Sequence, residues 1–302
     1  MKGLLSSRLG FLALLALSAD NEPTPPQRVT ALQHVWRVDD GKYWHIESTR
    51  VEDPATTDAV ERTRGACPAG MVEVAGQMKV ARDDEDLDAL QLTTCTERLD
   101  PAVPERCAAY DEDAWLELSK DLPTQPMRFC IDRFEYPNRK GDYPFVAVSG
   151  TEAAALCESR SERLCSEDEW TFACEGEQAW PYPYGFARDD TACVIDRPYR
   201  PVDERALGDR ESAATLIELD RLWQGEWSGS RPRCRSPFGV YDLTGNVDEW
   251  ARSVRPEGYP SILKGGYWGP VRTRCLASTR AHGEGYYDYQ QGLRCCADVP
   301  AR

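Results

Sequence analysis

The sequence predicts a loop-rich domain, stapled by disulfides around a modest amount of helix and strand. Three observations carry that expectation. Twelve cysteines stand in 302 residues, none of them in the first nineteen, and an even cysteine count in an exported chain reads most simply as a disulfide framework. From Cys67 onward, Gly, Pro, Trp, Tyr and Cys punctuate short segments, and long periodic runs are rare. Only two helices announce themselves by their caps. Zinc, the other common use of many cysteines, needs clustered ligands of the C-x-x-C kind. The only close pair here is the adjacent Cys295 and Cys296, which argues against it.

In chain order, residues 1–19 read as an export signal. Lys2 and Arg8 supply charge, Leu9 to Ala16 is apolar, and Ser18 and Ala19 are small. That apolar core is too short to span a bilayer, so no transmembrane segment is expected. Residues 20–65 open on the Pro-rich PTPPQ and end in charged sequence, which suggests a partly disordered extension; the domain then runs over 66–300. "MVEVAG", Met71 to Gly76, alternates as a strand does, and "RFCIDRFEYP", Arg128 to Pro137, continues the pattern. Ser149 with Glu152, and Ser166 with Glu169, have capping-box spacing ahead of helix-forming residues. Cys157 and Cys174 fall on those two helices, and Gly176 offers a stop for the second.

Formal net charge is −15, and −17 once Lys2 and Arg8 are removed with the signal. No basic block offsets it, which excludes nucleic acid as a partner and leaves divalent cations and basic peptides. The acidic run Asp83 to Asp88 lacks the alternation and central Gly of an EF-hand loop and reads as a solvated loop. His34 and His45 precede the expected domain, so His282 alone within it does not make a two-histidine iron site.

Seven short motifs occur in order: GMVEVAG, CIDRFEYPN, RLCSEDEWTFACEG, LWQGEW, SPFGVYDLTGNVDEW, LKGGYWG and GLRCCAD. With them the chain resembles the sulfatase-modifying-factor domain of the formylglycine-generating enzymes, over roughly Cys67 to Val299. The resemblance implies an α+β fold of the C-type-lectin-like, formylglycine-generating-enzyme type, poor in regular structure. Such enzymes oxidise a cysteine of a sulfatase peptide with molecular oxygen and a copper(I) ion held by two thiolates, soft donors that suit that ion. In active members the thiolate pair lies five and ten residues before the position that Cys275 matches. No cysteine stands between Gly266 and Cys275 here, so copper is not expected.

The same resemblance pairs Cys174 with Cys275 and Cys157 with Cys295. Among the other cysteines, Cys193 with Cys234, and pairings within Cys67, Cys95, Cys107 and Cys130, stay open. In "YDLTGNVDEW" it implies a calcium (Ca2+) site, with side-chain oxygens from Asp242 and Glu249 and backbone carbonyls from Gly245 and Val247. A plain Gly-Asn turn is the competing reading. At the family's other calcium site Arg221 replaces the expected Asn ligand, and an Arg cannot coordinate calcium. Tyr267, Trp268, Arg274 and Tyr286 flank the segment that forms the family's peptide cleft, where aromatic residues offer apolar area with a polar handle; for Trp268, core packing is the competing reading. The expected function is therefore that of an exported, periplasmic or extracellular domain, catalytically degenerate, binding a peptide or protein partner on a calcium-stabilised scaffold. An oxidoreductase with altered chemistry is the alternative.

Overall fold

Two four-stranded sheets and short capped helices are set in a chain rich in loops and turns. The computed structural model describes residues 33–39, 43–48, 67–82, 86–103 and 105–300. The expected export signal lies outside the described residues.

Strands β1 (Trp36–Asp39) and β2 (Tyr43–Ile46) form an antiparallel hairpin. This corrects the expectation that the domain begins at 66. Trp36, Trp44 and Ile46 are buried in one cluster with Val146, Leu219, Trp223 and Trp268. Asp220 fastens the hairpin by accepting from the Trp36 indole N–H at 3.0 Å and from the backbone N–H groups of Gln33 and His34. Two large aromatics that sequence periodicity cannot place find their apolar partners more than a hundred residues away.

The first sheet has the order β3-β6-β12-β7, built from β3 (Met71–Lys79), β6 (Thr124–Asp132), β12 (Cys295–Ala297) and β7 (Arg163–Leu164), all antiparallel. Alternation sends Val72, Val74, Phe129 and Ile131 into a core with Trp170 and Phe172. Strand β6 ends at Asp132, short of the expected Pro137. The chain turns there because Asn138, at φ 63°, bonds the Asp132 carboxylate and the Phe134 N–H through its side chain.

Helix α1 (Leu87–Leu92) is capped by Asp86, so the end of the acidic run is a helix start and not the solvated loop expected. Asp88 in its first turn pairs with the buried Arg274. Strands β4 (Cys95–Arg98) and β5 (Cys107–Tyr110) form a small hairpin, followed by α2 (Glu112–Ser119). Helices α3 (Gly150–Ser159) and α4 (Glu167–Glu175) carry the two capping boxes that the sequence predicts. Helix α4 stops at Gly176, whose φ of 70° and whose closeness to Pro237 leave no room for a side chain. Helix α5 (Ala213–Leu222) is capped by Ser212.

The second sheet runs β10-β9-β8-β11, from β10 (Ser278–Thr279), β9 (Ser261–Lys264), β8 (Asp248–Arg252) and β11 (Gln291–Leu293). Only β8 and β11 are parallel, with Asp248 opposite Gln291 and Glu249 opposite Gly292. Six disulfides join Cys67–Cys130, Cys95–Cys107, Cys157–Cys295, Cys165–Cys296, Cys174–Cys275 and Cys193–Cys234. The vicinal Cys295 and Cys296 thus clamp β12 to α3 on one side and to the start of α4 on the other. The fold is α+β and disulfide-stapled. Among the described residues no helix is long and apolar enough to cross a membrane.

A candidate ligand cavity beside a buried charge cluster

Neighbouring residues on a strand point to opposite faces, so β8 sends its two acids into different environments. Glu249 enters the interior; Asp248 faces a cavity. The loop before them, Asp242 to Val247, is shaped by positive φ at Asp242, Gly245 and Asn246. A Cβ at Gly245 would fall 2.4 Å from both Ile195 and the Val194 carbonyl oxygen, so only glycine fits.

Within the interior, Glu249 accepts from Arg294 Nε and Nη2 at 2.6 Å each and from the Trp170 indole at 2.7 Å. Both partners of this ion pair are fully buried. Asp242 accepts from the Gly229 N–H at 2.6 Å. A third acid, Glu135, accepts from Asn246 Nδ2 at 2.9 and 3.0 Å and from Ser228 at 2.7 Å. Burial drives the Glu135 carboxyl well up, and the neighbouring Asp242 and Glu249 add to it. Burial also pushes Asp242 up to about 7, against the pull of the Gly229 N–H and of Arg294. Burial alone would lower Arg294, but Glu249 holds it above its ordinary value.

This arrangement does not fit the four-ligand calcium set expected from the sequence. Both Glu249 oxygens are engaged by a guanidinium and an indole, and a dication there would meet the Arg294 charge at close range. Val247, expected to offer only its backbone carbonyl, has its side chain in the hairpin core. Asn246 serves the turn, as a cross-link from Glu135 to the Glu226 N–H at 2.8 Å. Arg221, at the second expected site, pairs with Glu218 and bonds the Pro201 carbonyl.

On the other face lies a cavity of about 410 Å³. The sheet supplies Asp248, Leu263, Thr279 and Gln291; the connection from β9 to β10 supplies Gly265 to Tyr267 and Pro270 to Arg272; Glu105, His282 and Gln290 complete the rim. Burial pushes the Asp248 carboxyl up to about 7, opposed by the Gly266 N–H and by Arg272. Arg272 donates to Thr279 Oγ1 at 2.9 Å. The side-chain carbonyl oxygens of Gln290 and Gln291 are buried without a hydrogen-bond donor.

Of the four residues expected at the cleft, Tyr267 lines this cavity. Arg274 and Tyr286 are corrected, and Trp268 takes its competing core position. Trp268 is 1% exposed and stacks edge-on against Trp223 in the core. Arg274 is wholly buried, bonded to Asp88 and to the Glu105 carbonyl, so its charge is consumed inside the scaffold. Tyr286 stands outside the lining and stacks on His282, with ring centroids 4.0 Å apart. Sequence reasoning missed Asp248, Gln290 and Gln291, because a strand register far along the chain brings them together. It also missed Glu135 and Arg294, which lie in CIDRFEYPN and GLRCCAD and have no local signal of their burial.

A family model described as the sulfatase-modifying factor enzyme 1-like domain matches residues 29–299, nearly the whole chain. The chain belongs to this family. Inactive C-alpha-formylglycine-generating enzyme 2 of Mus musculus is 29% identical over 163 residues, covering 47% of this chain and 44% of that protein. The formylglycine-generating enzyme of Bos taurus is 25% identical over 191 residues, covering 52% of this chain and 44% of that enzyme. These matches span under half the length of the curated relatives. Among solved structures, PvdO from Pseudomonas aeruginosa has a TM-score of 0.44 at 16% identity, covering 78% of this chain and 95% of that one. CarF has a TM-score of 0.44 at 15% identity, covering 77% and 99%. In this sulfatase-modifying factor domain, the segment between Gly266 and Cys275 forms a wall of the cavity and contains no cysteine.

Proposed function

We propose that this chain is a catalytically degenerate member of the sulfatase-modifying factor family that binds a peptide or protein partner in the cavity beside Asp248 and Tyr267. One observation carries the reading: all twelve cysteines are joined in six disulfides, and no free thiol is left beside the cavity. Copper(I) takes soft thiolate ligands, and neither the carboxylates nor the amides of the cavity wall replace them. The cavity itself persists, of a size that accepts a side chain or a short peptide turn. The name of the mouse relative, an inactive enzyme, supports the same reading. Six disulfides suit an oxidising compartment, so we place the protein in the periplasm or outside the cell. Calcium has no part in this reading, because Glu249 is engaged by Arg294.

The test incubates the purified chain with copper(I), oxygen and a peptide containing Cys-x-Pro-x-Arg, and follows the peptide by mass spectrometry. The reading expects the peptide mass to stay unchanged. Accumulation of the aldehyde would refute it.

A further inference from the structure

Two residues that line the cavity carry buried side-chain carbonyl oxygens without a donor. Asp248 and Gln291 are register partners on the parallel strands β8 and β11, so their side chains leave the sheet on the same face. Gln291 is 1% exposed, and its carbonyl oxygen has no donor. The carbonyl oxygen of the adjacent Gln290 is likewise buried without one. A buried acceptor without a donor is costly and marks a place where a partner group is missing. Asp248 accepts from the Gly266 N–H, and its carboxylate has capacity for more.

We propose that the cavity binds an alkyl ammonium group, held by Asp248, Gln290 and Gln291. An ammonium offers three N–H donors and no acceptor, matching one carboxylate and two amide carbonyls. Its alkyl stem runs along the apolar wall of Leu263, Tyr267, Pro270 and Val271, which line the same cavity. Arg272 and His282 also line this space. Arg272 is turned onto Thr279 Oγ1, and the His282 ring is stacked on Tyr286. Two acids, Asp248 and Glu105, stand against Arg272 on the lining. The formal charge of −15 on the chain draws cations toward it. The inference rests on the peptide-binding reading only for the source of the amine: a lysine side chain of a partner or a free small amine presents the same chemistry.

Calorimetric titration of the full chain separates the possibilities. The probes are n-pentylamine, its neutral isostere n-pentanol, and two peptides that differ only by lysine against norleucine. The amine and the lysine peptide are expected to bind, with their neutral counterparts at least about tenfold weaker. Asp248→Asn removes the charge at constant shape and is expected to erase that preference. Gln291→Met acts in the same direction, and an unchanged thermal unfolding midpoint certifies each variant. If n-pentanol binds as well as n-pentylamine, or Asp248→Asn leaves the preference intact, the inference is overturned. Equal binding of both peptides overturns it too, while sparing the peptide-binding reading. Binding of the amine with neither peptide bound sustains it and removes that reading.

Discussion

Arg294 and Glu249 meet through two hydrogen bonds of 2.6 Å, and neither side chain has any exposure. Arg294 reaches on to the carbonyls of Asp132 and Tyr241. The guanidinium therefore ties the end of β6 and the loop before β8 to the last sheet strands, in the position where the resemblance implies calcium.

Arg294→Met leaves Glu249 buried without its counter-charge, and breaking such a pair costs about 3–5 kcal/mol. Urea unfolding followed by tryptophan fluorescence measures it. Because the cross-link is a side chain and not an ion, a chelator is expected to leave the midpoint of the unaltered chain in place.

Cys174 and Cys275 close a separation of 101 residues. Replacing both by alanine releases that loop in the unfolded state and is expected to cost about 2–4 kcal/mol. Non-reducing unfolding curves of the two proteins give the difference directly.

The Lys264 amine is buried over the Trp170 ring and is pushed down to about 8 by burial, against the pull of Glu167, Asp88 and Glu175. Its unfolded value is ordinary, about 10.4. Between those values the unfolded chain binds the proton and the folded chain does not, so this group makes stability rise with pH across about 8 to 10.4. The rise is on the order of 3 kcal/mol. Lys264→Met should show a flatter stability–pH curve over that window than the unaltered chain.

Trp44 is 6% exposed, and its indole donates to the Arg210 carbonyl at 2.9 Å. Trp44→Ala is expected to destabilise the domain by about 3–5 kcal/mol. A residue in an independent extension would change it by under about 0.5 kcal/mol. Thermal or urea unfolding decides which.

What the sequence made legible follows from where the information lies. Capping boxes at Ser149 and Ser166 are local, three residues wide, and are found where expected. The alternation of Met71 to Gly76 is equally local and gives β3. The hairpin of Trp36 and Trp44 was illegible, because its apolar partners Leu219 and Trp268 belong to distant segments. Spacing does not reveal that β12, between β6 and β7, joins its adjacent cysteines to two separate segments, Cys295 to Cys157 and Cys296 to Cys165. At the site, the acids of "NVDEW" were visible as residues. Their division between core and cavity depends on the strand assignment of 248–252 and on the parallel pairing with Gln291. Arg274 misled for a physical reason: an arginine near a cleft is normally solvated, and here Asp88 holds it wholly inside.

The state of the sulfur decides whether this domain can hold copper(I). A thiol titration of the denatured, non-reduced chain is expected to find no reactive thiol among the twelve cysteines. Recovery of one or more thiols per chain, with Cys275 unbridged on peptide mapping, would contradict it.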